Sequence, residues 1–425
     1  MRRLVVLGAG TAGTMVVNKL RPKLARHEWS ITVVDPAKKH YYQPGFLFMP
    51  FGIYSPRDVV KPLAPTLRSG VELVSAAVDR VDAEGRRVLL DNGTELSYDY
   101  LVIATGTSPR PEETPGLAEG LGQNVHEFFS YEGSTALAAK LADFPGGRVV
   151  VHVAEMPIKC PVAPLEFVFL ADSFFTKRGI RDKVQLSYVT PLPGAFTKPV
   201  SAEYLGDMLE RRGIALEPDF VVESIDAEAG TLTSFDEREI GFDLLVTIPV
   251  NMGADYIGRS GLGDELNYVP VDKHTLLSTA DDHIFAIGDA TDAPASKAGS
   301  VAHFEADVFL PNFLAHVEGK PMPESFDGHA NCFIESGGGK ALLIDFSYDT
   351  EPLPGTYPVP FIGPMRLLRE SRINHWGKLA FRWLYWHMLL PGRRLPVPTH
   401  MSMAGKRRPP TTETTTDAVR IPSGF

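Results

Sequence analysis

The sequence predicts an α/β protein with two Rossmann-like dinucleotide-binding domains, followed by a C-terminal region with amphipathic helices. Three observations predict it: an apolar strand that enters a glycine-rich turn at the N-terminus, two later apolar strands that end in Ala-Thr-Gly and Gly-Asp-Ala, and a second strand–turn–helix unit that begins near residue 147. We expect residues 1–110 and 265–330 to form one split domain, residues 111–264 to form the second, and residues 331–425 to form the C-terminal region.

The first element is a short apolar strand, residues 4–7, which a glycine triplet follows directly. In such a turn the first glycine makes the tight bend, the second lets the backbone approach a pyrophosphate, and the third allows the helix to pack closely on the strand. The next apolar strand ends on an acid that can bind ribose hydroxyls. The sequence therefore predicts a dinucleotide site formed by Gly8, Gly10, Thr11, Ala12, Gly13 and Asp35.

Two later strand ends favour FAD as the nucleotide in this site. The apolar strand after Tyr98 ends in Ala104, Thr105 and Gly106, and the strand from Ile284 leads into Gly288 and Asp289. Both segments resemble the returning strands of flavoproteins that have two dinucleotide-binding domains. That resemblance implies that the aspartate binds the ribityl chain of the flavin.

The second strand–turn–helix unit lacks glycine at its turn. After the strand at 147–153, residues 154–166 contain three prolines and no glycine, and they include Cys160 and Glu166. Proline removes amide donors, and side chains crowd the space that a pyrophosphate needs. We therefore expect this domain to keep its fold and to bind NAD poorly.

At this turn the chain resembles sulfide:quinone oxidoreductases and the flavoprotein of flavocytochrome c sulfide dehydrogenase. In those proteins a cysteine, a proline-rich turn and a glutamate replace the NAD-binding turn, as Cys160, Pro161, Pro164 and Glu166 do here. A second family cysteine corresponds to Cys332, and a lysine after the Gly-Asp motif corresponds to Lys297. The resemblance extends from Leu4 to about Arg394 and is specific at these motifs.

The resemblance implies FAD-dependent oxidation of hydrosulfide, or of a small persulfide, through a Cys160–Cys332 redox pair. Hydrosulfide would open a disulfide or a sulfur-bridged form of the pair, and electrons would pass through FAD to a membrane quinone. It also implies that Lys297 lies near the flavin pyrimidine ring, and Glu166 is a candidate proton carrier. Buried cysteines are often inert, so two structural thiols are the alternative.

The chain departs from the family pattern at two places. His126 stands where many members have a third cysteine, and it is either a proton relay or a loop residue. The flavocytochrome subunit attaches FAD through a cysteine in the region of residues 41–45, which contains none here. We therefore do not expect cysteinyl-linked FAD.

The C-terminal region carries an unusual charge and aromatic content. Residues 364–408 have a local charge of +9 in a chain whose net charge is −10, and three of the four tryptophans lie in or beside residues 377–390. This pattern predicts a monotopic anchor on an anionic membrane surface, and a helix packed on the protein body or at a dimer interface is the alternative. Candidate walls of a quinone slot are Phe333, Phe346, Phe361 and Ile362. The tail from Pro409 is expected to be disordered.

Composition excludes several other classes. The net charge argues against nucleic acid, two cysteines are too few for a disulfide scaffold, and no metal-ligand spacing occurs. No apolar stretch reaches the roughly 18–20 residues of a membrane span, and no secretory signal is visible. We expect a peripheral protein on the cytoplasmic side of the membrane, with homo-oligomerisation left open. The rival functions are a type II NADH:quinone dehydrogenase, a flavin-binding sensor or partner without turnover, and a variant that delivers electrons to a cytochrome.

Overall fold

The computed structural model describes residues 1–359, 362–395 and 397–407. The predicted Phe361 and the tail from Pro409 therefore lie outside the described residues. The helices, in chain order, are α1 (Thr11–Leu20), α2 (Leu117–Gly120), α3 (Tyr131–Asp143), α4 (Ala163–Lys177), α5 (Pro199–Arg211), α6 (Asp255–Arg259), α7 (Gly299–His316) and α8 (Arg372–Leu384). A π-helical turn, Tyr385–Leu389, continues α8.

The first sheet is wholly parallel and combines four strands from residues 2–103 with one from residues 284–286. Its order across the sheet is Ile284–Ala286, Tyr100–Ile103, Arg2–Leu7, Trp29–Val34 and Glu72–Val74. The central strand is apolar without alternation because both of its faces are covered, and its residues Leu4–Leu7 are at most 2% exposed. The smaller antiparallel pieces of this half are Lys39–Tyr41 with Val60–Pro62, and Val78–Asp82 with Arg87–Leu90 and Glu95–Ser97.

The second sheet has the same parallel plan. Its order is Val125–His126, Leu244–Ile248, Gly147–Val153, Val184–Val189 and Ala215–Glu217. Between the last two strands of this sheet in chain order, the chain forms a separate antiparallel sheet of Val222–Asp226, Thr231–Ser234 and Glu239–Gly241. The chain passes between the two parallel sheets through Ser108–Arg110, which pairs with Val250–Met252. An α/β architecture with two parallel sheets confirms the predicted fold class.

The C-terminal region forms a four-stranded sheet that brings the second cysteine to the core. The sheet contains Ala330–Gly337, Lys340–Phe346, Met365–Leu367 and Gly355–Tyr357. Its first two strands form a hairpin whose turn, Gly337–Gly339, has positive φ at all three residues, as only glycine tolerates easily. Helix α4 packs on the first strand and α8 packs on the second, so this sheet is placed between helices of two different regions.

Candidate active site

The N-terminal turn has the geometry that the glycine triplet predicts. Gly8 has a φ of +95°, and a Cβ on Gly13 would lie 1.9 Å from the carbonyl oxygen of Gly8, so neither position admits a side chain. Within the described part of the chain, a Cβ on Gly10 would meet no other atom within 4 Å, which leaves that approach open to a ligand. Asp35 accepts hydrogen bonds from the backbone N–H of Ala9 and of Ala37, both at 2.7 Å. The acid therefore also holds the turn in place.

One large cavity joins this turn to the other candidate residues. It encloses about 1490 Å³, part of it open to solvent. The predicted nucleotide residues that line it are Gly10, Thr11, Ala12, Ala104, Thr105, Gly106, Gly288, Asp289 and Lys297. The N-termini of α1 and α7 both reach it, and helix N-termini favour phosphate oxygens. With the open approach at Gly10, these residues fit FAD.

Substituting Gly10 tests this fit separately from packing. Gly10→Ala is expected to weaken FAD binding about tenfold or more, because its methyl group takes the space of the pyrophosphate while it touches no protein atom. Gly206→Ala in α5 is the matched control, since its Cβ also meets nothing within 4 Å. The ratio of flavin to protein absorbance after dialysis measures the effect. Equal flavin retention in the two variants would contradict the assignment.

Both cysteines line the same cavity as the nucleotide turn. Cys160 follows Gly147–Val153, a strand of the second parallel sheet, and has a φ of +49°, in the left-handed region that residues other than glycine rarely adopt. Its backbone N–H donates to the carbonyl of Lys297 at 2.6 Å, which fixes the turn against the first domain. Cys332 lies within the strand Ala330–Gly337 and is 7% exposed. Residues that are 172 positions apart are thus brought to one cavity.

A buried ion pair lies beside the cysteines. Glu166, in the first turn of α4, is fully buried, and its Oε1 accepts hydrogen bonds from Nζ of Lys378 and, at 2.7 Å, from the backbone N–H of Glu335. Its Oε2 has no hydrogen-bond partner among the residues that the structure describes. Burial raises the pKa of Glu166 to about 7, and the charge of Lys378 opposes this shift. This carboxyl can therefore hold or release a proton near neutral pH.

The charge of Lys378 also acts on both thiols. Burial raises the pKa of Cys332 to about 12 and raises that of Cys160 further, and Lys378 lowers both. Burial would lower the pKa of Lys378 itself, but Glu166 and Cys160 reverse this and raise it, so its ammonium stays charged. A thiolate formed at either cysteine is therefore stabilised by the positive charge of Lys378.

Lys297 lies on the nucleotide side of the cavity. Its Nζ donates to the carbonyls of Asp289 at 3.2 Å and Thr291 at 2.6 Å, and it lies 4.1 Å from the centre of the Tyr268 ring. Burial lowers the pKa of Lys297, and Asp289 opposes this shift. A further lysine that sequence reasoning missed, Lys159, also lines the cavity and donates to Oε1 of Gln43 at 3.0 Å.

The residues predicted for a quinone slot are not brought together. Phe333 lines the cavity, whereas Phe346 lies outside it, with Nζ of Lys198 5.6 Å from its ring centre. Ile362 is 81% exposed at the surface. His126 lies on an edge strand away from the cavity, is 5% exposed, and has its Nε2 3.3 Å from the carbonyl of Gln123. Its position gives it no contact with the cavity.

Further apolar and aromatic lining residues come from two segments that the sequence did not assign to this cavity. The first segment is the region of residues 41–45, which contains no cysteine for a flavin link, together with the residues that follow it. Its lining residues are Tyr42, Gln43, Pro44, Phe46 and Leu47. The C-terminal helix contributes Lys378, Phe381 and Tyr385. These last three are spaced by three and four residues, which is the signal that could have indicated a helix face turned towards the interior.

Tyr385 ties the C-terminal segment to the nucleotide turn. Its hydroxyl is 2.8 Å from Oγ1 of Thr11 and 2.6 Å from Nε2 of His40, whose Nδ1 is 3.1 Å from the carbonyl oxygen of Ala9. Leu389 is 1% exposed. The second half of the aromatic stretch therefore packs on the protein body. For this half, the structure has the arrangement that was the alternative to a membrane anchor.

The opposite face of α8 is exposed and apolar. Ile373 is 49% exposed, Trp376 67% and Trp383 59%, and their spacing places them on one stripe of the helix. Exposed arginines lie before α8, at its first residue and after it: Arg366, Arg369, Arg372, Arg393 and Arg394. Within residues 1–359, 362–395 and 397–407, no helix is both long enough and apolar enough to cross a bilayer.

Known proteins resemble the chain over most of its length. The family model described as pyridine nucleotide-disulphide oxidoreductase matches residues 2–306. The mitochondrial sulfide:quinone oxidoreductase of Dictyostelium discoideum is 29% identical over 92% of this chain and 86% of its own length. That of Mus musculus is 24% identical over the same shares. The crystal structure of the sulfide:quinone oxidoreductase of Aquifex aeolicus superposes with a TM-score of 0.78 at 20% identity and covers 92% of both chains.

Proposed function

Because this chain belongs to the pyridine nucleotide-disulphide oxidoreductase family, we propose that it oxidises hydrosulfide, or a small persulfide, and reduces a membrane quinone. Its resemblance to sulfide:quinone oxidoreductases is confirmed, and it is a flavin-dependent oxidoreductase. The proposal adds that the redox pair is Cys160 with Cys332, that FAD is held without a cysteinyl link, and that quinone is the final acceptor.

The observation that carries this proposal is the shared cavity of the nucleotide turn and the two cysteines. In the second domain the turn that would bind a pyrophosphate is replaced by the Cys160 turn, whose backbone N–H is already bound to the first domain. A nicotinamide donor would need that turn free. The only cysteines of the chain line the cavity together, which favours a sulfur donor over NADH.

The proposed chemistry starts from the oxidised pair, with a sulfur–sulfur bond between the two cysteines. Hydrosulfide attacks one sulfur, so that a persulfide forms on that cysteine while the other leaves as a thiolate. Bound FAD supplies a two-electron acceptor for the pair and a two-electron donor for the quinone. In total, one hydrosulfide, one quinone and one proton give one sulfane sulfur and one quinol. Lys378 stabilises the thiolate, and Glu166 accepts the proton that the persulfide releases.

We propose that the exposed stripe of α8 rests on the membrane and so gives a lipid-soluble quinone access to the cavity. Tryptophans suit the headgroup level, and the flanking arginines suit anionic lipids. The inward face of the same helix, at Phe381 and Lys378, lines the cavity, which supports a short route for the quinone. Phe333 is retained as a wall of the slot, together with Phe46.

The membrane surface can be tested with the two tryptophans. Trp376→Ser with Trp383→Ser is expected to weaken binding to anionic vesicles at least about tenfold, because two large exposed side chains no longer enter the headgroup layer. Co-sedimentation with vesicles that contain phosphatidylserine measures this. Phe235→Ser is the control, since that residue is 68% exposed on the second domain. Equal loss in both proteins would contradict the assignment.

A steady-state assay tests the function as a whole. Purified protein with a short-chain quinone is given hydrosulfide or NADH, and quinol formation is followed under anaerobic conditions. We expect one quinone reduced for each hydrosulfide and no NADH-driven reduction. Quinone reduction by NADH but not by hydrosulfide would replace this proposal with an NADH dehydrogenase, and inactivity with both donors would favour a sensor.

A further inference from the structure

We propose that Glu335 and His375 form the outer part of a proton path that connects the buried Glu166–Lys378 pair to solvent beside the exposed face of α8. This inference rests on the proposed quinone reduction and deepens it. It assigns a role to two residues that the chemistry at the cysteines does not use.

Reduction of the quinone creates the need for such a path. A quinone takes up two electrons and two protons to become a quinol, whereas hydrosulfide gives two electrons and one proton. The second proton must come from solvent in every turnover. The cavity is partly open to solvent, but Glu166 and Cys332 are buried where the C-terminal sheet and α8 cover it, so side chains in this layer would deliver the proton directly to the Glu166–Lys378 pair.

The inner end of the path is the pair already described. Oε1 of Glu166 binds both Nζ of Lys378 and the backbone N–H of Glu335, and Nζ of Lys378 also donates to the carbonyl of Phe333 at 3.0 Å. Glu335 is therefore attached to the pair through its own backbone. Its carboxylate lies within reach of the charge of Lys378, which is one of the charges that shift its pKa.

The outer end is a histidine that spans the buried layer. The Glu335 side chain is 1% exposed, and both of its carboxylate oxygens lie 2.9 Å from Nδ1 of His375. The His375 side chain is 17% exposed, so its ring connects a buried carboxylate to the surface. It precedes the exposed Trp376 and lies one helical turn before Lys378, on the same side of α8.

The charges that face this path suit proton transfer near neutral pH. Burial raises the pKa of Glu335, and Lys378 and His375 oppose the shift. The other titratable groups on which its charge acts are Glu166 on α4, with a pKa raised to about 7 by burial, and Tyr54, whose pKa burial also raises. A buried carboxylate of this kind is uncommon away from functional sites. A purely structural clasp between α8 and the sheet is the competing explanation.

The test isolates the quinone step from sulfide chemistry. The FAD-loaded enzyme is reduced with one equivalent of dithionite, and its reoxidation by a short-chain quinone is followed near 450 nm. We expect His375→Ala to slow reoxidation at least about tenfold and added imidazole to restore much of the rate. Glu335→Gln keeps the shape of the side chain and is expected to slow the same step, with a larger solvent deuterium effect.

His400→Gln is the matched control, because His400 also faces a carboxylate, that of Glu324 at 3.7 Å, while its Nε2 lies 3.0 Å from the carbonyl oxygen of Ser325 and not beside Glu335. Its reoxidation rate should equal that of the wild type. Reoxidation of His375→Ala at the wild-type rate, or a slow rate that imidazole leaves unchanged while the melting temperature falls, would overturn the path and leave the clasp. If the wild-type reduced enzyme does not react with quinone at all, the proposed function fails instead.

Discussion

Replacing either cysteine with serine is expected to slow flavin bleaching by hydrosulfide about a thousandfold or more. A serine hydroxyl neither forms a disulfide nor accepts sulfane sulfur, so each single substitution removes the whole pair and the double variant should be no slower than either one. Stopped-flow absorbance under anaerobic conditions measures the rate. The Cys160→Ser and Cys332→Ser substitutions should slow flavin bleaching equally, although the two cysteines differ in exposure and in backbone conformation.

Dithionite provides the control for these variants. Both serine proteins should bind FAD and bleach normally with dithionite, because the nucleotide turn of the first domain is unchanged. A serine variant that still bleaches with hydrosulfide at more than a tenth of the wild-type rate would show that this cysteine is a structural thiol. That outcome would return the site to the alternative of inert buried cysteines.

Replacing Lys378 with methionine is expected to destabilise the protein by about 3–5 kcal/mol at pH 8, because it leaves the carboxylate of Glu166 buried without its ion-pair partner. The double variant Lys378→Met with Glu166→Gln should recover most of this loss, since no uncompensated charge remains. The thermal midpoint of the FAD-loaded protein, read across the cycle of single and double variants, measures the coupling.

The loss should depend on pH in a defined direction. The pKa of Glu166 is raised from 4.5 to about 7, so the folded state holds this proton more tightly than the unfolded chain and stability falls as pH rises between the two values. Without Lys378 the pKa rises further, because that ammonium lowers it. The gap between variant and wild type should therefore widen from pH 7 to pH 9. A gap that is constant with pH, or a double variant as unstable as the single one, would contradict a buried ion pair.

The sequence predicted the features that depend on local backbone chemistry. The glycine triplet identified the turn because Gly8 and Gly13 have no room for a side chain, and this requirement is visible in residue type and spacing. The absence of glycine before Cys160 predicted the altered second turn for the same reason. Such positions can be assigned without knowing the rest of the fold.

Positions that depend on how the C-terminal region packs were not predictable in this way. Lys378 was counted among the basic residues of a surface segment, because a lysine on an apolar helix face looks the same in sequence whether it points to lipid or to a buried glutamate. Phe346 lies on the neighbouring strand, opposite Ala330, and Ala330 precedes Cys332 by two residues in the strand Ala330–Gly337. That offset of about 7 Å along the strand is enough to remove it from the cavity.

Anaerobic bleaching of the wild-type flavin tests the central claim most directly. Hydrosulfide and NADH are added separately to the FAD-loaded protein without quinone, and absorbance near 450 nm is followed. We expect rapid and complete bleaching by hydrosulfide, none by NADH on the same time scale, and full recovery when quinone is added. Bleaching by NADH with no response to hydrosulfide would contradict the assignment of this cavity to sulfur chemistry.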